Sequence, residues 1–114
     1  MSTECLFCKI VERELPSDIV FEDDELLAFR DINPQAPTHM LVVPKRHIPT
    51  VNDLTDGDAD TVGRLVLRAR TLAEDEGLAE AGYRLVLNCN RDGGQTVYHV
   101  HLHLLGGRPM KGLG

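Results

Sequence analysis

The segment Tyr98-His99-Val100-His101-Leu102-His103-Leu104-Leu105 carries three of the chain's five histidines, in alternation with apolar residues. Alternation with period two marks a strand with one face in a core. Read this way, Val100, Leu102 and Leu104 belong to the core. His99, His101 and His103 share the opposite face, which must be solvated or lie in a polar cleft. The segment Asp92-Gly93-Gly94-Gln95-Thr96 runs directly into it. Its glycines would let backbone N–H groups approach an anion closely.

One metal ion is a poor account of all three imidazoles. Along a strand, Cα atoms two residues apart are separated by about 6.6 Å and those four apart by about 13 Å. Zinc–nitrogen bonds are only about 2.0–2.1 Å long. Neighbouring histidines could converge on an ion, but the outer two would not reach it together, so a division of labour is expected. Imidazole is also a nucleophile near neutral pH, and adjacent histidines discourage one another from charging. Attack on phosphorus would further need donors around the non-bridging oxygens. The plainer alternatives are histidines on an open strand face and Gly93-Gly94 as an ordinary turn.

Working outward, Tyr83 to Leu87 reads as a further strand, joined to Tyr98–Leu105 by the turn-rich loop Asn88 to Gly94. Ala59, Val62, Leu65, Val66, Ala69, Leu72 and Ala73 recur at helical spacing. Thr55 with Asp58 resembles a capping box at the start of this helix and Gly77 suits its end, while Gly63 weakens it by about 1 kcal/mol relative to Ala. Ile19–Phe21 and Leu26–Phe29 flank a charged turn and read as a hairpin. Asp31 to Pro37 is a loop, Met40 to Val43 a buried strand, and the segment from Phe7 to Arg13 a short helix. Only one connection is long enough for a crossover helix. The fold class is therefore α+β with an antiparallel sheet.

The 114 residues suit a single domain spanning 1–114. Aromatic residues make up 4% and tryptophan is absent, so the core must be aliphatic. A net charge of −6 without a basic block opposes nucleic-acid binding, although a small phosphorylated ligand fits a local site. No apolar run has membrane-spanning length, and the start of the chain lacks a signal-peptide layout. A cytoplasmic location is expected, with Cys5, Cys8 and Cys89 reduced rather than forming a disulfide framework. Cys5-Leu6-Phe7-Cys8 is open to three readings: half of a structural zinc site, a redox pair, or two buried small residues.

The run Gly93 to Gly107 (GGQTVYHVHLHLLGG) resembles the signature of the histidine triad (HIT) superfamily, and Phe21 to Ile48 resembles its nucleotide-binding half. The likeness extends from about Cys5 to Met110. Leu105-Gly106-Gly107-Arg108 and the short length are similar to the histidine triad nucleotide-binding (Hint) branch. The resemblance implies a five-stranded antiparallel sheet with one long and one short helix, paired in a homodimer as a continuous sheet. It implies hydrolysis of purine nucleoside 5'-phosphoramidates through a covalent nucleotidyl-histidine, with no organic cofactor.

The same resemblance assigns roles. His101 would attack the α-phosphorus, His103 would contact the phosphate, and the His99 carbonyl would orient His101. Asn88 and Thr96 would complete the catalytic set, with Gly94, Gln95 and Val97 beside the phosphate. Asp31 would accept from the ribose, and Leu6, Phe7, Phe29 and Ile32 would sandwich the purine. Cys5, Cys8, His47 and His99 would hold structural zinc. Thr96 stands where the branch often has serine, and the tail lacks a tryptophan common in close relatives. Alternatives within and outside the superfamily are a dinucleoside polyphosphate hydrolase or nucleotidyltransferase, a non-enzymatic nucleotide-binding module, and a metal-dependent hydrolase. His39 and Cys89 carry no assigned chemistry; His39 is expected to support the loop before its strand.

Overall fold

The computed structural model describes residues 4–114; of the domain expected over 1–114, residues 1–3 lie outside the described part. A short helix, α1 (Leu6–Val11), leads into the hairpin β1 (Ile19–Glu22) and β2 (Leu26–Arg30). The charged turn between them is set by Asp23, whose Oδ1 accepts from the N–H groups of Glu25 and Leu26 at 2.8 and 2.7 Å. Strand β3 (Thr38–Pro44), the long helix α2 (Ala59–Asp75), strand β4 (Tyr83–Val86), the single turn α3 (Asn90–Gly93) and strand β5 (Leu102–Gly106) follow. The strands form one antiparallel sheet in the order β1-β2-β3-β5-β4.

Both faces of this sheet are covered, which is why β2 and β3 read as unbroken apolar runs rather than alternating ones. Leu26, Ala28, Met40, Val42, Leu102 and Leu104 pack with Leu65, Ala69, Leu72 and Ala73 of α2. Leu27, Phe29, Leu41 and Val43 face the other way and pack with Phe7, Cys8 and Ile10 of α1. The core is aliphatic, as composition required.

Three expectations are corrected in detail. The buried face of α2 is Thr61, Leu65, Ala69, Leu72 and Ala73, while Ala59 and Val66 are exposed. Steps of three and four from Leu65 lead to Thr61, whose hydroxyl donates to Glu25 Oε2 at 2.6 Å. The expected capping box of Thr55 and Asp58 is formed, but it opens a 3-10 turn that runs into α2 rather than α2 itself. The histidine strand starts only at Leu102. Before it, His99 N–H turns back onto the Val97 carbonyl at 3.0 Å, and Val100 N–H donates to the Ile48 carbonyl at 2.7 Å. That detour lifts His99 out of the strand while leaving Val100 buried in the core.

Candidate active site

Cross-strand register brings the site together. Leu41 pairs with His103 and His39 with Leu105, so His39 and His103 stand on the sheet face that carries α1. Phe7 from α1 meets Phe29 edge-on, with ring centroids 5.3 Å apart, and lies 5.0 Å from His101 and 6.0 Å from His99. The rings of His101 and His103 are 4.9 Å apart. The histidine face is thus covered: His99 and His101 are buried and His103 is half-buried.

Burial is the main cause that lowers the basicity of His39, His99, His101 and His103. It pulls His103 down to about 4, helped by His101 and His39, and His99 down to about 4 against the opposing hydrogen bond to Pro44. His39 and His101 are lowered by burial in the same way. These rings are neutral at pH 7, so each carries one ring proton, and its hydrogen-bond partners decide where.

His101 Nδ1 lies 2.7 Å from the backbone oxygen of His99. A carbonyl only accepts, so the proton is on Nδ1 and Nε2 keeps its lone pair. His99 is the reverse. Its Nε2 lies 2.7 Å from the Pro44 oxygen, which puts the proton there and leaves Nδ1 bare. His39 Nδ1 accepts from the N–H of Gln35 at 3.0 Å, so its proton is on Nε2, 2.9 Å from His103 Nδ1. His103 then carries its own proton on Nε2. Hydrogen-bond partners therefore leave His101 with a free Nε2, His99 with a free Nδ1 among Cys5, Cys8 and His47, and His103 with its proton on Nε2.

The bare Nδ1 of His99 lies 3.4 Å from Cys5 Sγ, 3.6 Å from Cys8 Sγ and 3.2 Å from His47 Nδ1, and His47 Nδ1 lies 3.3 Å from Cys8 Sγ. Donors around one tetrahedral zinc stand about 3.3–3.8 Å apart. The four side chains form a group able to hold a metal ion. Burial and the adjacent Cys5 thiol push Cys8 up to about 11, a cost that a cation between the sulfurs would reverse. The His99 hydrogen bond to a backbone carbonyl behind the donor nitrogen is the usual support of a metal ligand. Asp31, His39 and His103 make a second cluster of possible ligands. There the His39 nitrogen that faces a cation already holds the ring proton, which argues against a metal.

The HIT domain pattern matches residues 12–110. The chain belongs to the HIT family. It is 57% identical to the purine nucleoside phosphoramidase of Escherichia coli (strain K12) over 110 residues, covering 96% of this chain and 92% of that protein. Among solved structures, a HIT family hydrolase from Legionella pneumophila Philadelphia 1 is 59% identical with a TM-score of 0.93, covering 95% of this chain and 96% of its own. A histidine triad protein from Clostridium difficile is 41% identical with a TM-score of 0.95, covering 100% and 99%. The five-stranded antiparallel sheet and the HIT relationship expected from sequence are both present.

Of the site residues named from this HIT sequence, His99, His101, His103, Phe7 and Phe29 converge directly. Asp31 approaches through His39, whose Nε2 is 3.5 Å from Asp31 Oδ2. Leu6 and Ile32 are exposed, the latter completely. Asn88 and Val97 are half-buried and Thr96 is exposed. Two amides of the glycine turn are engaged within the loop itself. Gly94, at φ +86°, ends α3 with its N–H on the Arg91 carbonyl, and Gln95 N–H donates to the Asn90 carbonyl. The buried Gln95 amide is occupied too, accepting from Asn90 N–H at 2.8 Å and donating to the carbonyls of Pro49 and Val97 at 2.8 and 3.0 Å. It braces the loop between the metal-ligand segment and the triad. The residue that sequence reading missed is His39. It does support the preceding loop through Gln35, as expected, but it also joins His103. Only the pairing of Leu41 with His103 shows this, and pairing register is not written in either strand alone.

Proposed function

We propose that this chain hydrolyses purine nucleoside 5'-phosphoramidates through a covalent nucleotidyl-histidine. The observation that carries the reading is the 2.7 Å contact from His101 Nδ1 to the His99 carbonyl, which leaves Nε2 as a neutral nucleophile. The 57% identity to a purine nucleoside phosphoramidase supports it.

His101 Nε2 attacks the α-phosphorus, and the phosphorus–nitrogen bond to the amine breaks. The departing nitrogen takes the proton of His103 Nε2–H, while His39 Nε2–H stays hydrogen bonded to His103 Nδ1. Water then attacks phosphorus, returns a proton to His103 Nε2 and breaks the bond to His101 Nε2, releasing the nucleoside monophosphate and restoring both neutral rings. Asn88, Gly94, Thr96 and Val97 border the phosphate, with Gln95 holding that loop in shape. Asp31 receives the ribose hydroxyls. Leu6 and Ile32 close on the purine above the buried Phe7 and Phe29.

We further propose that the group of Cys5, Cys8, His47 and His99 holds zinc. Bound there, zinc is structural: it ties α1 to the segment ahead of β5. Strand β4, at one edge of the sheet, pairs with its copy in a homodimer, and the single domain works in the cytoplasm. The decisive test is steady-state hydrolysis of an adenosine phosphoramidate by the wild type and His101→Ala. Turnover by the wild type that the variant loses is expected. Equal rates in the two would end the reading.

A further inference from the structure

The post-triad segment Gly106-Gly107-Arg108 reaches across to the loop that precedes β3. Strand β5 ends at Gly106, opposite Thr38. The chain then turns at Gly107, with φ +98°, where a Cβ would stand 2.7 Å from Pro37 Cβ. Glycine there permits both the turn and the close approach. Immediately afterwards Arg108 Nη2 donates to the Gln35 carbonyl at 2.7 Å, and its Nη1 donates to the Pro109 carbonyl at 3.0 Å. The arginine is exposed, yet its fork is engaged on two backbone oxygens.

Gln35 supplies the N–H that holds the His39 proton on Nε2, alongside the Asp31 carboxylate 3.5 Å from that nitrogen. It is held at both ends: its carbonyl by Arg108 and its N–H by His39 Nδ1. Its side-chain amide donates to the Asn33 carbonyl at 3.0 Å, and Asn33 N–H donates to Asp31 Oδ1 at 2.8 Å. Asp31 N–H in turn bonds the His39 carbonyl at 2.9 Å. The loop is therefore a small network with two outputs, the Asp31 carboxylate and the His39 ring. Among the described residues, the cation bonded to the Gln35 carbonyl is Arg108.

We infer that Arg108 is a positioning residue: by pinning the Gln35 carbonyl it keeps Gln35 N–H on His39 Nδ1, and so keeps the proton on the His39 nitrogen that faces His103. It touches neither substrate nor phosphorus. Without it, Gln35 can swing off Nδ1 and the His39 proton can move there. His39 Nε2 would then present a lone pair to the lone pair of His103 Nδ1. The neutral pair must flip or separate, and His103 loses the donor on Nδ1 that keeps its own proton on Nε2. The effect on turnover rests on the phosphoramidase reading; the effect on the His39 tautomer does not.

The test uses the full chain labelled with 15N-histidine, in wild type, Arg108→Ala and Arg108→Lys. Long-range 15N–1H spectra read the His39 tautomer, and steady-state kinetics with an adenosine phosphoramidate read kcat and KM. In the wild type His39 carries its proton on Nε2. In Arg108→Ala the pattern moves toward a mixture and kcat falls about fivefold, the size expected for one lost charge-assisted hydrogen bond, with KM changed by about twofold or less. Arg108→Lys, which still offers a donor, recovers part of both. A His39 pattern identical in wild type and Arg108→Ala overturns the inference, whatever kcat does. So does a changed tautomer with kcat undiminished. Absence of turnover in the wild type sinks the phosphoramidase reading instead, and the spectra alone then decide the role of Arg108.

Discussion

His99 and His101 are joined through the main chain: His101 Nδ1–H donates to the backbone oxygen of His99 at 2.7 Å, while the His99 ring faces Cys5 and Cys8. One residue thus belongs to the group of possible metal ligands with its side chain and to the proposed nucleophile with its carbonyl. Loss of the metal should therefore reach the chemistry. Treatment with a chelator, or Cys5→Ser, is expected to lower Tm by about 10 °C or more and to reduce turnover in parallel. Metal analysis of the untreated protein should find one zinc per chain. Unchanged Tm and no bound metal would refute the zinc assignment.

His39 stands behind His103 at 2.9 Å and accepts from Gln35. His39→Ala leaves His103 Nδ1 without its donor in a buried setting. We expect kcat to fall by about one order of magnitude, the effect of roughly 1.4 kcal/mol in the transition state, with KM nearly constant. A variant with wild-type kcat would show that His103 needs no support from that side.

Burial lowers the basicity of His103 and His39, so the unfolded chain binds more protons than the folded one between the folded value and about 6.5. For His103 the window runs from about 6.5 down to about 4. Stability is full above the window and is lost as pH falls through it. Denaturant titrations at pH 7 and pH 5 should differ by about 1–2 kcal/mol from this group alone. A folded state equally stable at both values would contradict the neutral, buried ring.

Gly107 combines a positive φ of +98° with the near contact to Pro37. Pro37 is a rigid ring and cannot yield as a long side chain would. Gly107→Ala should cost about 1–3 kcal/mol in denaturant unfolding, from backbone strain and overpacking together. Gly63→Ala is the control. Its Cβ would meet nothing within 4 Å inside α2, so stability should rise by up to about 1 kcal/mol.

Some of this molecule was legible in the chain because its cause is local. The alternation Val100, Leu102, Leu104 sends those three side chains into the core, and all three are buried there. Cys5 and Cys8 stand one helical turn apart, with Cys5 capping α1, so their thiols can share one neighbour. The proton positions are not marked by residue type, even where the partner is near: His99 is two residues from His101 and Gln35 four from His39, whereas Pro44 is 55 from His99. They depend on Pro44, Gln35 and His99 offering backbone groups, and a backbone group is the same whatever side chain it carries. Joining His39 to His103 across 64 positions, lifting His99 off its strand and engaging the Gln95 amide were decided only when β3, β5 and the loops packed. Periodicity belongs to a segment and can be read from it, whereas register and hydrogen-bond partnership belong to pairs of segments and exist only once the chain has folded.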